Sequence, residues 1–324
     1  MPITSGTHTE RLFLSAETVK AEAKRLGFYA CGIAPAQPVD STHTAFFKQW
    51  LHEKKQGEMT YMENYTDKRT DPSLLVEDAH TVISVALNYY PNKKIPAGAP
   101  QLAWYAYGQD YHDLMRNKLQ ALLTQLQEIY SPRMLTGRCF CDTAPILERY
   151  WAWRCGIGWI GKHTQLIIPH AGSTFFLGEL ILNLPADRYD SPLPSHCGTC
   201  HKCIDACPVT ALSEHKGLDA RRCLSYLTIE NRREIPDDAA ARMAPYFYGC
   251  DRCQLACPHL RHAVPTQEKE LHPKKELLAM TAKDWQNLTI DEYRTLFKGS
   301  AVKRAKYEGL LRNIKAMNKG LEKK

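Results

Sequence analysis

No apolar run in this 324-residue chain reaches the roughly eighteen residues that a membrane-spanning helix needs. Residues Met1 to Ser15 contain no basic stretch leading into a long apolar one, and no paired arginines. No export signal is therefore expected, and the cytoplasm is the expected compartment. There is no low-complexity tract, no P-loop and no large excess of one charge; the net charge is +7. Gly156-Ile-Gly158-Trp-Ile-Gly161 matches the spelling of a dinucleotide fingerprint, but that fingerprint must follow a strand and open a helix. Here it follows the helical stretch Leu147 to Cys155 and leads into a strand, so a nucleotide-binding reading is set aside. With 44% hydrophobic and 24% charged residues, the composition is that of an ordinary globular chain long enough for two domains.

Cysteine is what the chain has in quantity. There are twelve, and a reducing compartment argues against disulfides. Cys31, Cys139, Cys141 and Cys155 are scattered and read as free, buried thiols. The other eight are patterned. Cys197-x2-Cys200-x2-Cys203-x3-Cys207-Pro208 is the bacterial ferredoxin run, in which three cysteines hold one cubane and the fourth reaches the other. Cys250-x2-Cys253-x3-Cys257-Pro258 repeats it, with Cys223 supplying the missing member. Crossing the fourth cysteines assigns Cys197, Cys200, Cys203 and Cys257 to one [4Fe–4S] cluster. Cys207, Cys223, Cys250 and Cys253 go to the other, with none left over. Zinc also takes four-cysteine sites, but it does not explain the repeated x3-Cys-Pro step.

Before this module, residues 1 to 190 read as one α/β unit. Helices are expected over 15–26, 45–55 and 111–130, the last carrying the stripe Met115, Leu119, Leu122, Leu126 and Ile129. Strands are expected over 28–34, 81–89, 165–169 and 173–183. Residues 191–196 form a linker, 191–262 the cysteine-rich domain, and 263–324 a mostly helical tail. The last 24 residues carry eight Lys and Arg against Glu308 and Glu322. They are either a solvated helix face or a surface for phosphate backbones. An electron carrier alone needs no 190-residue partner, so the first domain is expected to catalyse. Asp142, in Cys139-Phe-Cys-Asp142-Thr-Ala-Pro145, stands at a strand-to-helix junction. It reads either as a helix N-cap or as an acid shielded from water, its pKa raised enough to donate a proton.

Several of these segments taken together resemble epoxyqueuosine reductase. They are Asp142-Thr-Ala-Pro, Gly156-Ile-Gly-Trp-Ile-Gly-Lys162, Phe176-Leu-Gly-Glu179, Tyr105-Ala-Tyr-Gly-Gln-Asp-Tyr-His112, Ser300-Ala-Val-Lys-Arg and the two ferredoxin motifs. The resemblance runs over nearly the whole chain. It implies an α+β architecture: a nitroreductase-like cobalamin-binding α/β domain, a ferredoxin-like two-cluster domain and a short helical tail. It implies removal of the epoxide oxygen of epoxyqueuosine in the tRNA anticodon loop, with cobalamin beside two [4Fe–4S] clusters. Asp142 would be the catalytic acid. The corrin would lie near Arg69, Tyr105, Asp142, Leu166 and Leu177, against the cluster loops at Ser225, Asp251 and Arg252. Asp110-Tyr-His112 lacks the glycine of a cobalamin-ligating Asp-x-His-x-x-Gly motif, so a cofactor without a histidine ligand is implied. Only 67 residues follow Cys257, whereas longer family members carry an extra helical repeat there. The resemblance also implies a monomer fed by an electron donor that the sequence does not identify. Two other readings are a reductive dehalogenase-like corrinoid enzyme and a non-catalytic iron–sulfur electron carrier. The first usually carries a twin-arginine signal, and the second would bind no corrinoid.

Overall fold

A computed structural model describes residues 13–131, 134–215 and 217–322. At its centre is a four-stranded antiparallel sheet of β1 (Ala30–Pro35), β2 (Thr81–Asn88), β3 (Gly137–Phe140) and β4 (Phe175–Leu182), in the order β1-β2-β4-β3. β2 is buried along nearly its whole length, and its side chains alternate between two apolar layers. Ile83, Val85 and Leu87 face one layer with Leu180 and Leu182 of β4. Two helices, α1 (Ala16–Arg25) and α3 (Tyr111–Ile129), cover that side through Val19, Ala23, Met115, Leu119, Leu122 and Leu126. Val82, Ala86, Phe140 and Ile181 face the other layer, under α4 (Glu148–Arg154) with Tyr150, Trp151 and Ala152. Gly32 on β1 lets α4 close on the sheet; a Cβ there would lie 1.9 Å from the Cys155 carbonyl oxygen.

The periodic segments fold where their pattern places them. The second helix, α2 (Ser41–His52), starts earlier than its apolar residues indicate, because Asp40 caps it by accepting from the His43 N–H at 3.0 Å. Ile129, expected in the core stripe of α3, is 47% exposed at the end of the helix. The expected strand at 165–169 shortens to Leu166–Ile167, which pairs with Trp159–Ile160 in a small hairpin just after the glycine-rich turn. Asp110 caps α3, its carboxylate accepting from the His112 N–H at 3.1 Å.

The cysteine-rich segment folds back onto the first 190 residues. Tyr246–Tyr248 pairs in parallel with Gln101–Leu102, and Asp251 accepts the Trp104 N–H at 2.8 Å. The C-terminal helix α5 (Lys306–Glu322) closes the structure through Leu310, Ile314 and Met317, all buried. Arg312 reaches the carbonyls of Leu227, Asn231 and Arg233. Among the described residues no helix is long and apolar enough to cross a membrane.

Candidate active site

Two turns shaped by the ferredoxin spacing, at Lys202–Asp205 and Arg252–Leu255, gather the patterned cysteines. Cys197, Cys200, Cys203 and Cys257 line one cavity, beside Lys162 and His259. The fourth thiol of that cavity comes from the second motif, and Cys207 is not part of it. Cys207 bears instead on Cys253, together with Cys250 and Cys223. Burial first, and then this crowding of like groups, pushes the Cys253 thiol well up. Both sets have the donor chemistry of a cubane site. Peptide N–H groups point at the sulfurs: Ala211 N–H donates to Cys207 Sγ at 3.2 Å, Tyr226 and Ser225 donate to Cys223, and His259 and Leu260 to Cys257. Such bonds stabilise thiolate and tune a cluster's potential. Among the described residues no three His, Cys, Asp or Glu side chains converge closely enough to hold a single ion. Thiolates around a cubane stand one at each iron and surround a space instead of a point.

The second cysteine set abuts the catalytic side through Asp251, which is 2% exposed. Burial pushes its carboxyl up to about 7, against the hydrogen bonds from Trp104 N–H and Gln254. Next to it, Arg252 donates to the carbonyls of Met243 and Ala244 and lies over the Tyr246 ring. Its Nη1 is buried without a partner. Ser225 sits at Cys223, its N–H on the sulfur. Tyr105 donates to the Tyr248 hydroxyl at 3.3 Å, with its ring edge-on to Tyr111. Arg69 is buried and spends its guanidinium on the carbonyls of Asn64 and Tyr61. Leu166 is buried in the layer under α4. Leu177 is half-buried, its carbonyl accepting from Cys141 Sγ at 3.6 Å. Tyr105, Asp142, Leu177 and Arg252 thus keep solvent-facing surface, whereas Arg69, Leu166 and Asp251 are interior.

Asp142 occupies the loop between β3 and α4, in a left-handed backbone conformation with φ 54°. It is not an N-cap: α4 begins at Glu148 after Leu147, with no side-chain cap. Its Oδ2 lies 2.8 Å from His112 Nε2, and His112 Nδ1 lies 2.6 Å from Asp110 Oδ1. The imidazole is therefore clamped between two carboxylates. Asp110 above all, then Asp142, pushes His112 up to about 9, so it is an imidazolium at neutral pH. Tyr111 stacks on both His112 and Phe176, with centroids 4.1 Å apart in each case, and fixes the ring plane. The expectation of a raised Asp142 pKa is corrected. Burial does push its carboxyl up, but the bond and charge of His112, with Tyr111, outweigh it and hold it below the usual range. The proton resides on the histidine.

Three further groups here were assigned no chemical role from the sequence, although His112 and Glu179 lie in segments that carry the resemblance. His112 stands next to its own capping residue and thirty residues from Asp142, a pairing that only α3 and the β3–α4 loop create. Glu148 receives the Asp142 N–H at 2.5 Å. Burial, then the Asp142 charge, pushes its carboxyl up to about 8. Glu179, fully buried on β4, accepts from Ser84 Oγ across the sheet at 3.0 Å and is raised by burial and then by Glu148. The basic tail also differs from expectation. Arg304 makes two bonds to Glu230, Lys319 pairs with Asp237, and Arg312 is consumed by carbonyls. Lys303, Lys306 and Lys315 remain exposed.

A sheet flanked by helices, two sets of four thiols and a proton-bearing carboxylate–imidazole relay together define an iron–sulfur oxidoreductase. Comparison with known proteins narrows this. Residues 69–143 match a family described as "Epoxyqueuosine reductase QueG, DUF1730", and 196–259 match a "4Fe-4S double cluster binding domain". An epoxyqueuosine reductase of Cellulophaga algicola is 45% identical over 301 residues, covering 92% of this chain and 96% of that one. A crystal structure of epoxyqueuosine reductase with an epoxyqueuosine-modified tRNA stem loop superposes with a TM-score of 0.80 at 28% identity, covering 93% of this chain and 80% of that one. The Bacillus subtilis enzyme, solved with its catalytic aspartate loop swung out of the active site, does so with a TM-score of 0.80 at 27% identity and the same coverage. The chain belongs to the epoxyqueuosine reductase family.

Proposed function

We propose that this chain reduces epoxyqueuosine to queuosine in the anticodon loop of tRNA. The observation that carries the chemistry is the Asp110–His112–Asp142 relay, which holds a proton on His112 and joins it to the exposed Asp142 carboxyl. Converting the epoxide to an alkene consumes two electrons and two protons and releases water. When bound, the two clusters supply single electrons and cobalamin supplies the reduced metal centre that meets the epoxide. Cys197, Cys200, Cys203 and Cys257 hold one cluster, and Cys207, Cys223, Cys250 and Cys253 the other. Tyr105, Asp142, Leu177, Ser225 and Arg252 would border the corrinoid, and Arg69, Leu166 and Asp251 would back them from the interior. The partnerless Nη1 of Arg252 suits an acceptor such as a corrin carboxamide or phosphate. Both nitrogens of His112 are engaged by carboxylates, which fits a cofactor without a histidine ligand from the relay.

Asp142 takes the proton from His112 and passes it to the epoxide oxygen. Asp110 keeps the ring in place and makes the imidazolium the resting form. Anticodon bases reach this half-open site from outside, as unpaired bases can and paired ones cannot. Exposed Lys303, Lys306 and Lys315 supply phosphate contacts. The enzyme acts as a cytoplasmic monomer fed by a one-electron donor. The test is Asp142→Ala in reconstituted protein: iron and corrinoid content stay at wild-type levels and turnover is lost. Wild-type turnover in that variant removes Asp142 from the reaction.

A further inference from the structure

The Asp142 loop is weakly tied to the rest of the fold. Its backbone bonds are short and local: Thr143 N–H to the Cys141 carbonyl at 2.6 Å and Ile146 N–H to the Ala144 carbonyl at 2.9 Å. Asp142 is also held left-handed, which a residue with a Cβ sustains only with outside support. The platform behind the loop is rigid, because Trp151 and Ala152 of α4 are buried at 1% and 0% exposure. Glu148 is the first residue of that platform, and its carboxylate takes the Asp142 N–H. In the Bacillus subtilis relative the loop carrying the catalytic aspartate is seen swung out, so in this family it has somewhere else to go.

We propose that Glu148 is the positioning residue that latches this loop: by holding the Asp142 N–H it keeps the left-handed turn that aims the Asp142 carboxyl at His112. The proposal rests on the reading that Asp142 delivers the proton. The latch has two arms of different kinds. Glu148 grips the backbone from α4, and His112 grips the side chain from α3. Only when both are closed does the carboxyl sit between the imidazolium and the open cleft. The charged groups bearing on Glu148 are Asp142, Arg149 and His112, with Glu179 behind it on β4. Glu148 is only partly exposed and its bond goes to the Asp142 backbone, so its removal acts through the loop.

The experiment is hydrogen exchange by mass spectrometry across residues 141–147 of the reconstituted holoenzyme, alongside steady-state kinetics on an epoxyqueuosine-bearing stem loop. A hydrogen bond to an acceptor that is largely protonated at neutral pH shifts a seated-to-released ratio by roughly 2- to 12-fold. Glu148→Ala is expected to speed exchange in the loop by about that factor and to lower kcat with KM unchanged. Glu148→Gln, which keeps an acceptor oxygen, restores most of both. Unchanged exchange in Glu148→Ala overturns the latch. Should that variant fail to fold, Glu148→Met decides: it keeps the side-chain length without the carboxyl acceptor, so its exchange must be faster, and wild-type exchange in it overturns the proposal. Asp142→Asn separates the two readings. Turnover by that variant defeats the proton-delivery role, while its exchange pattern still reports whether Glu148 holds the loop.

Discussion

Asp110→Asn is a small change with a large expected effect on pH dependence. Asn still caps α3, so the helix keeps its start. What weakens is the 2.6 Å hydrogen bond to His112 Nδ1, the largest of the influences that lift this histidine from 6.5 to about 9, and what disappears is the Asp110 charge behind it. A neighbouring opposite charge of this kind is worth about one to three pH units. The histidine of the variant should therefore titrate lower than in the wild type, by about one unit or more. The sign follows from which form carries the proton. A raised histidine is charged below its folded pKa and loses its proton as pH rises through it, so wild-type turnover should hold through neutrality and fall as pH rises through about 9. The clamp's contribution to stability follows the same rule: it is complete below the unfolded value near 6.5 and lost as pH rises through about 9. In Asp110→Asn the alkaline fall should begin about one unit or more lower. The assay is single-turnover loss of epoxide from a modified stem loop by pre-reduced enzyme between pH 6 and 10. Superimposable profiles would refute a proton held on His112.

Four other outcomes are expected. Cys257→Ser should share its phenotype with Cys203→Ser, and Cys207→Ser with Cys223→Ser, each variant losing roughly four of roughly eight irons; iron analysis with electron paramagnetic resonance reads which cluster survives. Reversing Lys303, Lys306 and Lys315 to Glu should weaken stem-loop binding and flatten its salt dependence by roughly 0.7 to 0.9 in log–log slope for each phosphate no longer neutralised, with thermal unfolding unchanged; filter binding across a salt series checks this. Deleting 301–324 should instead unfold the protein, since Val302, Leu310, Ile314 and Met317 are core. Gly32→Ala should cost about 1–3 kcal/mol in denaturant unfolding, because its Cβ meets the Cys155 carbonyl, which α4 cannot easily move.

Most of the frame was readable from the residues. Period-3.6 and buried-strand patterns located α1, α3, β2 and β4, because their apolar residues fall on the faces that pack between sheet and helices, with Ser84 and Glu179 a buried polar pair among them. The cysteine spacing carried a partition that the cavity around Cys257 matches in composition. The relay was not readable, for a physical reason. His112 and Glu148 each look like ordinary helix-start residues, and they become chemical partners of Asp142 only because a left-handed turn brings its N–H and carboxyl toward two different helices. The same limit applies to charge. Burial alone argued for a protonated Asp142, but an imidazolium contributed by a distant segment reverses the sign. The tail's surplus charge was legible as a sum and not as a surface, since Glu230, Asp237 and a set of backbone carbonyls take up three of its cations.

The most direct measurement is anaerobic reconstitution followed by one assay. Iron, sulfide and cobalt are quantified, and the reduced protein is given a stem loop carrying epoxyqueuosine. Two cubanes and one corrinoid per chain, with one oxygen atom removed from the modified nucleoside in its mass spectrum, is the predicted result. Bound iron with no corrinoid and an intact epoxide would contradict the account.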